Sequence, residues 1–147
     1  MEKSKLALAL LIMRLSAAAF MIAWTSLKFR VPQSFENIFH KFYGLHFVTQ
    51  DLAWIVGGIQ MLIVLAFAIG ILRTYTYGAV LLMHGVGTLS SIPNLIDYTT
   101  YPNQLMWAAV PTLGSMVALF LLRADDQFSV DGMRMKSAPA VEATPGE

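Results

Sequence analysis

The sequence predicts an all-α integral membrane protein: a small bundle of four membrane-crossing helices, with a short amphipathic interfacial helix between the first two. Three observations carry that prediction. The 147 residues are 56% hydrophobic and 13% charged, where a soluble domain carries roughly 25% charged residues to solvate its surface. Mean hydropathy is +0.60. The apolar residues are gathered into four stretches, each about 17 to 22 residues long, which matches a hydrocarbon core about 30 Å thick at helical rise.

The first stretch runs from Leu6 to about Leu27 and the second from about Leu52 to Leu72. The third runs from about Thr76 to Ile92 and the fourth from about Leu105 to Leu122. A bilayer offers no water to the backbone, so segments of this kind must close their own hydrogen bonds as helices. A membrane barrel is excluded because Leu62-Ile63-Val64-Leu65-Ala66-Phe67 is apolar on both parities. Between the first two spans, Phe35, Ile38, Phe39 and Phe42 recur at helical spacing among Glu36, Asn37, His40 and Lys41. That pattern is a short amphipathic helix, lying in the interface or capping the helix ends. Residues 1–123 therefore read as one membrane domain. From Ala124 the composition turns polar, so 124–147 reads as a cytoplasmic tail, largely disordered from about Lys136.

Lys3, Lys5, Arg73, Arg123, Arg134 and Lys136 fall on one side of this topology, and the Ser91–Gln104 loop has no basic residue. The bias places both termini in the cytoplasm, with Lys28, Arg30 and Lys41 against it. Trp24, Trp54 and Trp107 then anchor at the outer interface, and Tyr75 and Tyr77 at the inner one. A cleaved signal peptide ending near Ala17-Ala18-Ala19 is the competing reading of the N-terminus, but Arg14 interrupts its apolar region and hydrophobicity continues past it. The chain has no cysteine, which excludes disulfides, a dithiol relay and thiolate metal sites. A formal charge of +1 gives no reason to expect nucleic acid.

Arg14 is the most informative residue. It lies about 12 Å inside the first span, where an arginine costs about 2.5–3.5 kcal/mol to insert. No Asp or Glu lies within the four spans. Counting depth along straight helices puts His84 level with Arg14, Ser115 close to that level, and Gln60 slightly nearer the outside. Arg14, Gln60, His84 and Ser115 are thus candidates for a shared site suited to an anionic or carbonyl-bearing ligand such as a quinone. The alternative is that Arg14 snorkels to the inner phosphate layer. His84 is either a proton relay or a histidine bonded to a backbone carbonyl. Pro111 is expected to kink the fourth span, and Gly57-Gly58 and Gly114 with Ala118 to allow close helix approach. No metal site is expected. His40 and His46, six apart, fall on different faces of a helix that Gly44 would break. Haem is not expected either, since His84 alone lies in a span.

The first span reads Arg14-Leu15, Ser16-Ala17-Ala18-Ala19, Trp24 and Lys28, and the second closes on Gly70-Ile71-Leu72-Arg73. From about Leu8 to Arg123 this pattern resembles the DoxX/DoxD-like family of small bacterial four-helix membrane proteins. The sequence departs from that family at Gln60, where members often carry an acid. The resemblance implies a multi-pass protein of the bacterial cytoplasmic (inner) membrane, working as the membrane subunit of a quinone-linked oxidoreductase complex. It also implies a soluble oxidoreductase or sulfur-transfer partner, with no covalently bound cofactor. A non-catalytic anchor or assembly factor is the alternative. A small-solute channel is a third reading, which a homo-oligomer would favour because a single chain has few polar residues along any helix face.

The topology has a direct test. A cytoplasm-active reporter fused after Arg123 is expected to be active and one inserted near Asn94 inactive; the reverse pattern overturns the orientation.

Overall fold

The computed structural model describes residues 3–47 and 49–137, and within them the chain is helical without strands. Helix α1 spans Lys3–Arg30 and α2 spans Pro32–Ile38, running into a π-helical turn at Phe39–Tyr43. Helices α3 (Gln50–Ile69), α4 (Arg73–Ser90) and α5 (Ile92–Ile96) follow. A 3-10 segment, Asn103–Ala108, leads into α6 (Ala109–Leu121). A 3-10 turn at Arg123–Asp125 then leads to α7 (Val130–Ser137).

Three helical stretches are long and apolar enough to cross a membrane: Lys3–Arg30, Gln50–Ile69 and Asn103–Leu121. Helix α4 is as long as 18 residues but falls outside that group, because Arg73, Thr74, Thr76, His84 and Thr88 lower its hydropathy. The long helices pack with α1 against α3 and α6, and α4 against the other faces of α3 and α6. Leu10, Ala17, Ala18, Met21, Val64, Phe67, Tyr77, Val80, Met116 and Leu119 fill the space between them. Around this core the usual order is reversed. Large apolar side chains such as Ile12, Ile55, Leu62, Leu82, Leu105 and Leu121 point outward, while Arg14, Thr25, Lys28, Arg73, His84, Thr88 and Asp126 are buried.

Local chemistry explains the helix ends. Thr49 caps α3, its hydroxyl accepting from Leu52 N at 3.4 Å. Gly70 ends α3 in the left-handed region, φ 71°, which glycine adopts without steric cost. The second span therefore stops at Ile69 rather than at Leu72. Leu72 is itself left-handed at φ 50°, a strained conformation for a bulky residue. Pro111 falls in the first turn of α6, two residues after the 3-10 segment gives way to α helix. A missing N–H is tolerated there, so the proline marks a change of helix type where the sequence suggested a kink in mid-span. Gly57 is a true close-approach site: a Cβ there would meet Lys28 Cβ and Phe29 Cζ at 3.0 Å. Gly58 and Gly114 face open space within the chain.

Two connections depart from expectation. After the π-helical turn, Gly44 takes φ 66° and Leu45 N donates back to Phe39 O at 3.1 Å. That reversal carries His46 over His40, with ring centroids 4.9 Å apart, where their spacing on a continuous helix would have separated them. The segment after Ala124, read from composition as a tail, folds back on the ends of α3 and α4. Asp131 N donates to Gly70 O at 3.2 Å, and Asp131 Oδ2 accepts from Arg73 N at 2.9 Å. An acid 58 residues along the chain thus caps the start of α4. Lys136 and Ser137 close α7, and the remainder of the stretch expected to be disordered lies outside the described residues.

Gly70 sits where this fold is least forgiving. A Cβ there would overlap the Ser129 side chain and come within 3.0 Å of Arg14 Nη1. Gly70→Ala is expected to destabilise the protein by about 1–3 kcal/mol through φ strain and displacement of the returning segment. Thermal unfolding in detergent reads this as a lowered midpoint, and an unchanged midpoint contradicts it.

Candidate functional site

Arg14 is 2% exposed and stands at the centre of a buried polar cluster. Helix α1 brings the side chain to the place where the last turn of α3 meets the second turn of α4. Its Nε donates to Ala68 O at 3.1 Å, and Nη1 donates to the Tyr77 hydroxyl at 3.2 Å. Nη1 also donates to Asp126 Oδ2, forming an ion pair with a carboxylate that is 0% exposed. Nη2 donates to Phe128 O at 3.0 Å. The Tyr77 hydroxyl donates to the same Asp126 oxygen at 2.6 Å. A guanidinium has five N–H donors, and these four bonds engage all three of its nitrogens.

Asp126 reaches Arg14 because the chain after α6 is held in place by a second arginine. Arg73 Nη1 donates to Arg123 O at 2.7 Å and to Asp126 O at 3.1 Å, satisfying backbone carbonyls of the turn that follows α6. Its Nε stands 3.9 Å from Asp131 Oδ2. Ser129 completes the turn: its hydroxyl donates to Asp126 O at 2.6 Å and accepts from Gly132 N at 3.0 Å. One oxygen of Asp126, Oδ1, is buried without a hydrogen-bond partner among the described residues.

The other candidates lie elsewhere. Arg14 bonds to none of Gln60, His84 and Ser115. His84 packs edge-on against Phe20, ring centroids 5.3 Å apart. Phe20 is six residues further along α1, roughly 9 Å beyond Arg14 at helical rise. The depth count fails because α1 overhangs: Arg14 meets Ala68, next to the end of α3, and Tyr77, near the start of α4. His84 Nε2–H donates to Ala109 O at 3.0 Å. A carbonyl can only accept, so that nitrogen carries the proton. Ser115 is half-buried on α6 and its hydroxyl donates to Pro111 O at 3.0 Å. Gln60 is half-buried on α3 and bonds to none of the other three.

Ser115 does line a groove of about 350 Å³ that opens sideways between α1 and α6, together with Ile12, Met13, Ser16, Phe20, Pro111 and Thr112. His84 stands against its Phe20 wall. Two of the four candidates are therefore associated with this groove, while Arg14 belongs to the cluster closed by the returning segment. Sequence reasoning missed Tyr77, Arg73, Asp126 and Asp131 as partners. The signal available was the run of acids directly after the fourth span, Asp125, Asp126 and Asp131.

The buried pair has a measurable signature. Removing one partner of a buried ion pair costs about 3–5 kcal/mol, because the other charge is left uncompensated. Arg14→Leu and Asp126→Leu are each expected to lower stability by that amount. The double variant is expected to recover part of the loss, since it leaves no orphan charge. Denaturant or thermal unfolding in detergent checks this, and strictly additive losses contradict the pairing.

No family model, curated protein or solved structure matches the chain.

Proposed function

We propose that the chain is an integral membrane protein in which α1, α3, α4 and α6 all cross the bilayer as a four-helix bundle. We further propose that it serves as a membrane anchor or assembly subunit for a partner protein. The observation that carries the first part is the reversed polarity of the fold. Large apolar side chains line the outside while the arginines, His84 and Asp126 are inside, an arrangement suited to lipid and unfavourable in water. It accommodates α4, whose polar residues Arg73, Thr76, Tyr77, His84 and Thr88 are all buried against neighbouring helices. Trp24, Trp54 and Trp107 are half-exposed and sit at one end of the long helices, as interfacial anchors do.

The anchor reading is supported by what Arg14 does. Its nitrogens are all engaged within the chain, and the carboxylate that neutralises it is fully buried. A ligand-binding arginine keeps donors for its ligand; this one spends them on fixing the segment after α6. The exposed faces of that segment, including Met133, Met135 and Phe128, then stand at the end of the bundle as a surface for a partner.

A second reading has its own observation. The groove between α1 and α6 is apolar, opens to the side and offers the Ser115 and Thr112 hydroxyls next to Phe20 and His84. An isoprenoid quinone would fit such a groove with its tail along Ile12 and Met13. The chain would then be a quinone-contacting subunit of a redox complex, as the family resemblance implies, with no role for Arg14 in holding the ligand.

Purification in mild detergent, followed by mass spectrometry of co-purifying lipids and proteins, separates the two. A soluble partner at fixed ratio without quinone is the expected result for the anchor. Stoichiometric quinone that is lost on Ser115→Phe, which fills the groove, establishes the redox subunit instead. Release of the protein from membranes by alkaline carbonate contradicts both.

A further inference from the structure

The connection between α1 and α3 holds two imidazoles whose placement no role above uses. His40 lies in the π-helical turn and His46 two residues beyond Gly44. Both side chains are exposed, and among the described residues neither ring takes part in a hydrogen bond. Their centroids are nevertheless 4.9 Å apart, with the ring planes inclined at 45°. Backbone chemistry holds them there. The left-handed Gly44, at φ 66°, reverses the chain, and Leu45 N is tied to Phe39 O at 3.1 Å. Below the turn, Phe39 and Leu45 pack against buried Phe35 and Ala53, anchoring both arms of the reversal to α3.

We propose that His40 and His46 form a binding site for a divalent transition-metal cation of the imidazole-preferring class, such as Zn²⁺ or Cu²⁺. The separation is what a shared metal requires. A metal–nitrogen bond of about 2.0–2.1 Å places each ring centroid roughly 3.2 Å from the ion. Two imidazoles at right-angle or tetrahedral coordination then have centroids about 4.5–5.2 Å apart. The observed spacing of 4.9 Å falls inside that interval, and both side chains are exposed, with room to turn a nitrogen of each ring towards one ion. Imidazole nitrogen suits zinc, copper and nickel, whereas magnesium and calcium want oxygen ligands.

Two residues make an open site. Among the described residues no third His, Asp or Glu joins the pair. Glu36, one helical turn before His40, has its carboxylate held by Gln33 Nε2 at 3.1 Å. The remaining coordination positions are filled by water, or by a ligand from another molecule, so the affinity is that of a two-histidine chelate rather than a closed structural site. Occupancy would pin His46 to His40 and stiffen the reversal at Gly44.

The test is titration of Cu²⁺ into the full chain, purified without a polyhistidine tag in detergent micelles, followed by electron paramagnetic resonance. One copper per chain with a two-nitrogen signature is expected. His40→Ala and His46→Ala are each expected to weaken binding at least tenfold and to reduce the signature to one nitrogen, while circular dichroism stays unchanged. Zn²⁺ is expected to displace the copper. The proposal is overturned if no saturable binding occurs, or if binding and signature persist in the His40→Ala/His46→Ala double variant. It is also overturned if binding is lost on His84→Ala with His40 and His46 intact.

Discussion

Everything at one end of this fold depends on the ion pair between Arg14 and Asp126. A guanidinium inside a helix packing is costly to desolvate, and a lone carboxylate cannot offset that cost without further hydrogen bonds. The chain provides them in layers. Tyr77 donates to the Asp126 oxygen that Arg14 also contacts, and the carbonyls of Ala68 and Phe128 accept from the nitrogens that remain. Because Asp126 must reach this point, the chain after α6 has to turn inward. That turn places Ser129 against Gly70, and a glycine is the residue that leaves room. It also delivers Asp131 to the N–H of Arg73. The start of α4, the end of α3 and the close of α6 are thus joined through one buried charge.

The same logic accounts for the polarity of the whole chain. The four long helices bury Arg14, Thr25, Lys28, Arg73, Thr76, His84 and Thr88 between them, and their outer faces carry many exposed leucine, isoleucine, phenylalanine and tryptophan side chains. In water such a surface would aggregate; in lipid it is solvated. In a hydrocarbon surrounding an unpaired donor is expensive, so interior polar groups gain most from partners within the chain. His84 bonded to Ala109 and Arg73 bonded to three carbonyls are instances of the same rule.

Much of this was legible in the residues. Apolar stretches of span length announced the long helices, and Arg14 announced that a partner had to exist. The partner itself was hidden for a physical reason. Asp126 lies 112 residues away in a segment whose composition is that of a solvated tail, and a long-range ion pair leaves no periodic trace. Depth counting failed on α1 because it treated helix starts as level, whereas α1 overhangs α4 by about two turns and α3 by nearly three. Helix periodicity likewise separated His40 from His46, since it cannot represent a π-helical turn followed by a left-handed glycine. Pro111 was placed in mid-span because hydropathy does not distinguish the 3-10 segment before α6 from α-helix.

The central claim is that the segment after α6 is docked through Arg14 rather than trailing free. Because the chain has no cysteine, one introduced thiol reports on it cleanly. Ser129 is 0% exposed, and Ser129→Cys exchanges a single side-chain atom. In the folded protein this thiol should resist a water-soluble maleimide until denaturant is added, and it should become reactive when Arg14→Leu is introduced. Rapid labelling in the otherwise unaltered chain, or continued protection in the Arg14→Leu background, would contradict the docking and with it the account of how this fold is held together.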